Sequence, residues 1–136
     1  KDKINNSIKN RDFWMPFAPI ILDKYQKKYL INPKKIDSPH MSMSFNTTPI
    51  GYKHLLAACH PADKTARAQI LSKNINTELY DLLLYFSKIT KRGGLLNTSF
   101  NLHGYPIVNT YKDAIYVFKK SNLDCLILDD IFIEKK

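Results

Sequence analysis

Glycine and cysteine are both scarce in this sequence, whose 136 residues include four glycines and two cysteines. Cys59 and Cys125 match no metal-ligand or redox spacing and do not indicate a disulfide-stapled fold, so we expect a reducing, cytoplasmic setting. The glycines form neither a Walker-type phosphate loop nor a G-x-G-x-x-G turn. A nucleotide site in this chain must therefore be built from side chains rather than from a glycine-rich cradle.

Long apolar runs and metal-binding motifs are absent too. No run approaches the ~18 apolar residues of a membrane-spanning helix, so we expect no membrane insertion. The histidines form no H-E-x-x-H motif or Cys/His ligand pair, so we predict no metal site. They are His40, His54, His60 and His103. Cys59 and His60 are adjacent, but neighbours in sequence rarely face each other, which argues against a nucleophile–base pair.

The composition is that of a globular protein with an excess of positive charge. Hydrophobic residues make up 44% of the chain and aromatic residues 12%, enough for one domain over residues 1–136 with a buried core. The formal net charge is +9, and we interpret most lysines as solvated, with attraction for an anionic ligand as the functional alternative. We do not expect nucleic acid as a partner, because no stripe of cations alternates with exposed aromatic residues.

Apolar periodicity predicts alternating helices and strands. Predicted helices cover residues 1–9, 22–30, 77–91 and a segment that starts at Thr110. Predicted strands cover residues 13–22, 41–45, 66–71, 95–97 and 124–134. Pro16 and Pro19 favour an edge-like or irregular strand in the first of these. The order of elements favours an α/β (α+β) fold with a mixed sheet flanked by helices.

Helix ends and one core-facing surface can be predicted in more detail. Asn76 or Thr77 can cap the helix over residues 77–91. Its apolar residues predict a stripe that faces the core: Leu79, Leu82, Leu83, Phe86 and Ile89. Thr110 and Asp113 have the spacing of a capping box, which indicates a second helix start at this point.

Two short polar motifs, far apart in the chain, give the strongest functional signal. Lys9 and Arg11 are separated by one residue, and so are Ser99 and Asn101. In an extended segment, side chains at i and i+2 share a face, so each motif would present its two groups together. If folding brings the motifs together, they form a cup for a small oxygen-rich anion such as phosphate or carbamate. The alternative is that both cations are ordinary helix-end or surface residues.

Two further stretches add candidate ligand contacts. Arg67 lies between small apolar residues at a predicted strand start, so it either faces a pocket or pairs with Asp63 at a sheet edge. Polar residues also cluster between a predicted strand and Gly104, a position typical of ligand contacts in open sheets. Besides Ser99 and Asn101, they are Asn97, Thr98 and His103. A polar turn held by its own backbone hydrogen bonds is the alternative for this cluster.

Four ordered stretches resemble the C-terminal domain of the O-carbamoyltransferase family, which includes nodulation-type and antibiotic-tailoring enzymes. They are KNRDFWMPFAPIIL, SPHMSMSF, HPADKTARAQIL and LLNTSFNLHGYPIVNTYKDAIYVF. The resemblance spans nearly the whole chain and implies a YrdC-like domain, a twisted mixed β-sheet flanked by helices. Two family features are absent: a Gly-Pro-Arg-rich segment before the Lys-x-Arg motif, and the larger N-terminal Kae1-like domain with its iron-binding histidines.

The resemblance also implies roles for individual residues. In this superfamily, Lys-x-Arg and Ser-x-Asn pairs bind carbamoyl phosphate or an acyl-adenylate, and the family's Thr-Ala-Arg stretch matches Thr65-Ala66-Arg67. The expected catalytic residues, which would neutralise phosphate charge, are Lys9, Arg11 and Arg67. The expected substrate-binding residues are Ser99, Asn101, Thr65, Asn97 and His103. No residue stands out as a general base, and the candidates for that role are Asp63 and His103.

The implied reaction uses carbamoyl phosphate and ATP. The domain would cleave carbamoyl phosphate and adenylate the carbamate, giving carbamoyl-adenylate and pyrophosphate, with Mg²⁺ bridging the ATP phosphates. The Kae1-like domain would pass the carbamoyl group to a hydroxyl, and iron is expected only there. Because the chain begins at Lys1, in what reads as the end of a helix, we expect a fragment of a longer protein.

Two other functions stay open at this point. One is a YrdC-like RNA- or nucleotide-binding module without catalysis, for which RNA affinity would fall steeply with salt. The other is a structural domain that only supports the missing partner. In that case Lys9 and Arg11 would point away from Ser99 and Asn101. Neither the acceptor of the carbamoyl group nor the oligomeric state has a motif in the sequence.

Overall fold

The computed structural model describes residues 1–12 and 15–135, which form two compact units. The smaller unit combines the described residues of Lys1–Phe13 and Ser99–Lys136, and the larger one takes those of Trp14–Thr98. Helices and mixed or antiparallel sheets confirm the predicted α/β (α+β) class. Phe13 and Trp14, at the start of the predicted strand over residues 13–22, lie outside the described residues.

The helices and strands are numbered along the chain. The α-helices are α1 Asp2–Ile4, α2 Gln26–Tyr29, α3 Pro49–Leu55, α4 Thr77–Thr90 and α5 Tyr111–Lys120. A π-helix, Asn5–Lys9, continues α1, and 3-10 helices cover Asp23–Tyr25 and Leu56–Ala58. The strands are β1 Ala18–Leu22, β2 Leu30–Ile31, β3 Phe45–Thr47, β4 Thr65–Ala66, β5 Gln69–Leu71, β6 Gly94–Asn97, β7 Cys125–Leu128 and β8 Ile131–Glu134.

The larger unit contains a three-stranded mixed sheet with β1 at its centre. Strand β1 pairs in parallel with β5, placing Ile21 opposite Ile70, and antiparallel with β6, placing Pro19 opposite Leu96. The predicted strand is therefore confirmed, but it is central rather than edge-like or irregular. Pairing with β5 begins at Ile20, one residue after Pro19, so the proline lies at the end of that ladder, where a missing N–H is tolerated.

Strand β1 is buried on both faces because its side chains alternate between two apolar cores. Ile20 and Leu22 pack with Leu71 and with Leu83 from α4. Ile21 packs into the other core, whose buried members also include Tyr29, Leu30, Phe45, Leu55, Cys59, Ala66, Ala68 and Ile70. A continuous apolar run thus produces a central strand, which holds β5 and β6 on either side.

The strand predicted over residues 66–71 is divided between two sheets. Its first part belongs to β4, in the antiparallel sheet β2–β3–β4, and its second part is β5, beside β1. Arg67 and Ala68 connect them, and the hydroxyl of Ser38 donates to the Ala68 carbonyl over 2.9 Å. This bond satisfies a buried carbonyl that lies outside either ladder. The strand predicted over residues 41–45 is likewise displaced, to β3.

Helix α4 confirms the predicted cap and corrects the predicted stripe. The side-chain oxygen of Asn76 accepts a hydrogen bond from the Leu79 N–H over 2.8 Å. Leu83 is fully buried, but Leu82 and Ile89 are 56% and 65% exposed, so the core-facing stripe is narrower than its apolar pattern suggests. Helix α3 was not predicted, although Thr48 accepts from the Gly51 N–H and Pro49 occupies the first turn, which are standard start signals.

The smaller unit consists of α1 with the π-helix, a loop over residues 99–109, α5 and a β7–β8 hairpin. Thr110 and Asp113 form the predicted capping box, and Asp113 accepts from the Thr110 N–H over 2.9 Å. The N–H of Asn122, after α5, donates to the carbonyl of Ser7 over 2.8 Å. This bond ties the N-terminal helix to the end of α5. None of the described helices is long and apolar enough to cross a membrane.

Candidate functional site

Lys9 ends the π-helix, and the backbone turns sharply after it. The N–H of Asn10 donates to the carbonyl of Asn5 over 2.8 Å, which closes the last π-turn. Asn10 then takes the left-handed conformation, with φ of 47°, which asparagine adopts more readily than most residues. Lys9 and Arg11 therefore do not share the face of an extended segment, and that part of the sequence prediction is wrong.

The loop after β6 places Ser99 and Asn101 against the Lys9 side chain. The Lys9 ammonium group donates to the Ser99 hydroxyl over 3.0 Å and to the Asn101 backbone carbonyl over 3.2 Å. It also donates to the side-chain oxygen of Asn101, Oδ1. The structure thus brings together three of the four residues of the Lys-x-Arg and Ser-x-Asn motifs.

Hydrogen bonds use nearly all the polar side-chain atoms of Lys9, Ser99 and Asn101. Lys9 has three N–H donors, and each has an acceptor. The Ser99 hydroxyl donates to Asn101 Oδ1 over 2.7 Å, and the Asn101 side-chain amide donates to the Tyr105 carbonyl over 2.6 Å. We call Lys9, Ser99, Asn101 and Tyr105 the lysine cluster. The lysine cluster is therefore closed: the donors of Lys9, Ser99 and Asn101 bond to acceptors within the cluster.

The electrostatics of Lys9 are unusual for a lysine. The residue is 2% exposed, and lysine is seldom fully buried unless it is paired. Its hydrogen-bond partners are neutral oxygens rather than a carboxylate. Burial, together with the nearby positive charge of Arg11, lowers the pKa of Lys9 from its usual 10.5 to about 8. The amine therefore changes charge close to physiological pH.

Asn5 fixes the backbone at Arg11, a role that sequence reasoning missed. Its side-chain oxygen accepts from the Arg11 N–H over 2.8 Å, and its side-chain amide donates to the Arg11 carbonyl over 2.9 Å. This paired contact holds the turn through Asn10 and keeps Arg11 close to Lys9. An asparagine one turn before a basic motif was the available signal, because asparagine commonly bonds to nearby backbone.

Thr65 and Arg67 belong to the larger unit. The Thr65 hydroxyl and N–H both donate to Asp63, over 2.8 and 2.9 Å. Asp63 also lies 3.4 Å from His60, and in the part of the chain that the structure describes its ion-pair partner is not Arg67. Arg67 itself is exposed between two buried alanines. Of the two alternatives for this residue, the pairing with Asp63 is therefore wrong.

Asn97 and His103 flank the two ends of the predicted polar cluster. Asn97 is in the larger unit, where its side-chain amide donates to the side-chain oxygen of Gln69 over 2.9 Å and lies 3.9 Å from the sulfur of Met41. His103, in the smaller unit, is exposed and has no hydrogen bond to any described residue. The lysine cluster therefore contains neither of them.

The arrangement suits recognition of an oxyanion. A buried cation, a hydroxyl and an amide converge at one point, and each can contact phosphate or carboxylate oxygens. No group of three or more His, Cys, Asp or Glu side chains among the described residues could hold a metal ion. The described residues therefore offer no such cluster for a protein-bound Mg²⁺.

Comparison with known proteins identifies relatives along the full length of the chain. The family model described as Carbamoyltransferase C-terminus matches residues 1–135. The protein MJ1051 of Methanocaldococcus jannaschii is 42% identical over 135 residues, which is 99% of this chain. Nodulation protein NolNO of Sinorhizobium fredii is 34% identical over 139 residues, and nodulation protein NolO of Bradyrhizobium diazoefficiens is 34% identical over 137 residues. Both of these matches cover 100% of this chain.

These relatives are much longer than the chain. The matched region is 26% of the length of MJ1051, 20% of NolNO and 25% of NolO. The chain therefore corresponds to between a fifth and about a quarter of each relative.

Proposed function

Because the chain belongs to the carbamoyltransferase C-terminal family, we propose that it binds carbamoyl phosphate and ATP and forms carbamoyl-adenylate. In this reaction, water cleaves carbamoyl phosphate to carbamate and phosphate. A carbamate oxygen then attacks the α-phosphorus of ATP, the bond to pyrophosphate breaks, and carbamoyl-adenylate forms. A separate N-terminal domain would transfer the carbamoyl group to a hydroxyl, and relatives of which this chain is only 20% to 26% have room for one.

The observation that carries this proposal is the buried ammonium group of Lys9. A lysine with a purely structural role is expected to pair with a carboxylate, because an uncompensated charge is costly to bury. Lys9 instead contacts a hydroxyl, an amide oxygen and a carbonyl. Neutral acceptors orient the ammonium group but leave its charge uncompensated, so an anionic ligand would be favoured beside it.

Binding would require an exchange of hydrogen bonds, since the lysine cluster is closed. A phosphate oxygen would replace one of the Asn101 oxygens as an acceptor for Lys9. The Ser99 hydroxyl, which now donates to Asn101 over 2.7 Å, would then be released to donate to the ligand. Hydrogen bonds to charged groups are stronger than neutral ones, which favours this exchange. The role of the cluster is to bind and orient the phosphate and to neutralise its charge.

The remaining predicted residues keep separate roles in the proposal. Arg11 would add positive charge beside Lys9, and the exposed Arg67 would contact phosphate, as the resemblance implies. Thr65, Asn97 and His103 remain predicted substrate contacts. When ATP is bound, Mg²⁺ would help to neutralise the charge of its phosphates.

The proposal is tested by calorimetric titration of the chain with carbamoyl phosphate and with ATP, separately and together. Lys9→Met removes the buried charge at similar volume. We expect at least a tenfold loss of carbamoyl phosphate affinity in this variant, because a hydrogen bond to a charged group contributes roughly 1.5–3 kcal/mol. Arg67→Ala tests the predicted phosphate contact in the larger unit by the same titration.

The matched control is Lys119→Met, which removes an exposed lysine from α5 in the same unit. Its affinity for carbamoyl phosphate should stay within twofold of the parent chain. Equal losses in both lysine variants would mean that net charge alone attracts the ligand. A folded parent chain that binds neither carbamoyl phosphate nor ATP, but binds RNA with a steep salt dependence, would contradict the proposal.

A further inference from the structure

His60 and Asp63 form a histidine–carboxylate pair in the turn that leads into β4, in the larger unit. Nδ1 of His60 lies 3.4 Å from Oδ1 of Asp63. Two backbone hydrogen bonds close this turn. The His60 N–H donates to the Thr65 carbonyl over 2.8 Å, and the Lys64 N–H donates to the His60 carbonyl over 3.0 Å. The backbone that carries the pair is therefore held in place.

Thr65 fixes the carboxyl group of Asp63. The N–H and the hydroxyl of Thr65 both donate to Oδ1 of Asp63, over 2.9 and 2.8 Å. These two hydrogen bonds, first that of the N–H and then that of the hydroxyl, lower the pKa of Asp63, so the group is ionised at neutral pH. A carboxylate can only accept hydrogen bonds, so it favours an N–H on the side of the His60 ring that faces it.

Nδ1 of His60 is exceptional among the buried polar atoms. Of the buried side-chain nitrogen and oxygen atoms in the described residues, only this one has no hydrogen-bond partner. Buried polar atoms are nearly always paired, so an exception needs an explanation, and a catalytic role is one. At 3.4 Å, the contact with Asp63 is longer than an ordinary N–H···O hydrogen bond. Contacts between catalytic groups are often this long before a substrate binds and shorten afterwards.

Asp63 determines which nitrogen of His60 carries the proton. With the proton on Nδ1, facing the carboxylate, Nε2 of the neutral ring is left as an acceptor. The His60 side chain is 42% exposed although Nδ1 is buried, so the open part of the ring is the part that includes Nε2. The pair thus presents a base to solvent while a carboxylate holds the other nitrogen of the ring.

A cavity of about 220 Å³ lies next to Thr65. Thr65, which bonds to Asp63, lines this cavity together with residues that include Asn32, Lys34 and Asn46. The cavity is smaller than those that hold drug-sized ligands, which favours a small substrate. The pair therefore shares one residue with a cavity of suitable size, and that residue is a predicted substrate contact.

We propose that His60 is the general base for the cleavage of carbamoyl phosphate and that Asp63 is its positioning residue. Nε2 of His60 takes a proton from water as the water oxygen bonds to the carbonyl carbon. The bond between that carbon and the phosphate oxygen breaks, and its electron pair leaves with the phosphate. Carbamate and phosphate result, and His60 then passes the proton to solvent. This role rests on the proposed function, which includes the cleavage but assigns it no base.

The test measures phosphate release from carbamoyl phosphate by the full chain, after subtraction of a protein-free blank. His60→Ala should bind carbamoyl phosphate within about twofold of the parent chain but release phosphate ~100-fold more slowly, because general-base catalysis contributes about this factor or more. Added imidazole should restore part of the rate, which it would not do for a purely structural loss. The matched control is His40→Ala, which removes an exposed histidine from the same unit and should keep the parent rate.

Asp63→Asn separates positioning from catalysis. The side-chain oxygen of the new asparagine can still accept from Thr65, but its amide would donate to Nδ1 of His60 and move the ring proton to Nε2. We expect phosphate release to slow by roughly tenfold or more while the affinity for carbamoyl phosphate is unchanged. Imidazole should not restore the rate here, because the His60 ring still fills its position.

Calorimetric titration with carbamoyl phosphate separates failure of this role from failure of the proposed function. If the parent chain binds carbamoyl phosphate and His60→Ala releases phosphate at the parent rate, the role of His60 is overturned and the proposed binding is not. An affinity loss in His60→Ala as large as its rate loss would also overturn the role, as would a parent chain that binds carbamoyl phosphate without cleaving it. A parent chain that binds no carbamoyl phosphate would overturn both proposals.

Discussion

Lys9 donates a hydrogen bond to the hydroxyl of Ser99 over 3.0 Å, although the two residues are 90 positions apart in the chain. The contact joins the end of an N-terminal π-helix to the loop that follows β6. The backbone and side-chain oxygens of Asn101 accept hydrogen bonds from the same ammonium group. The acceptors around this buried lysine are therefore neutral. An ammonium group that is oriented but not neutralised is suited to bind an anion.

Removal of the Ser99 hydroxyl should weaken carbamoyl phosphate binding. Ser99→Ala deletes one acceptor of Lys9 and the hydroxyl that is proposed to turn toward the ligand, and we expect a loss of about tenfold. Titration calorimetry measures it. Ser7→Ala is the matched control, because the Ser7 hydroxyl donates to the local carbonyl of Lys3, over 2.7 Å, and to no other described residue. A normal affinity in Ser99→Ala would remove this residue from the proposed site.

Carbamoyl phosphate affinity should fall as pH rises through about 8, where Lys9 loses its charge. An anion favours the charged amine, so binding near this pH should also take up a fraction of a proton. Titrations in buffers of different ionisation enthalpy measure that uptake. Lys9→Met should show neither the uptake nor this pH dependence. If the variant keeps both, another group is titrating.

The stability of the chain should also depend on Lys9 above neutral pH. Its folded pKa, about 8, is below its usual 10.5, so between these values the unfolded chain holds more protons. The free energy of unfolding should therefore rise with pH in this window, and below pH 8 the cost of the buried charge is fully present. Denaturant unfolding at pH 7 and pH 9.5, compared with Lys9→Met, isolates the effect. Parallel changes in both proteins would contradict it.

Gly51→Ala should destabilise the larger unit. A Cβ atom at this position would lie 2.1 Å from the backbone carbonyl oxygen of Tyr29, which cannot rotate away as a side chain can. We expect a loss of about 2–3 kcal/mol in the free energy of unfolding, measured with denaturant. Gly104→Ala is the comparison: it has a φ of 78° but no neighbour within 4 Å, so its cost should be closer to 1 kcal/mol.

Thr110→Ala should loosen the start of α5. The Thr110 hydroxyl accepts from the Asp113 N–H over 3.2 Å, and loss of an N-cap of this type costs about 1 kcal/mol. Thermal unfolding and amide exchange in the first turn of α5 measure the effect. Lys112→Ala, an exposed change within the same helix, should have little effect. Similar melting shifts for both variants would argue against a stabilising cap.

The sequence predicts well the helix starts whose signals come from residues close together in the chain. The capping box at Thr110 and Asp113 and the Asn76 cap depend on residues only a few positions apart, and both form. Predictions failed where they depended on which distant part of the chain packs against a helix or pairs with a strand. Leu82 and Ile89 fit the apolar pattern of α4 but are exposed, because no described element covers that face. Arg67 falls in the connection between two sheets, which no local pattern marks.

The sequence by itself determined the α/β class, the family and the residue types of the candidate site. Tertiary structure alone decided that Lys9 leaves the π-helix through a left-handed Asn10 rather than along a strand, and that its side chain is buried. It also decided that the Tyr29 hydroxyl lies 3.0 Å from Nδ1 of His54, 25 positions further along the chain. The physical reason is the same in each case. Caps and turns depend on neighbours in the chain, whereas burial and charge depend on residues that only folding brings together.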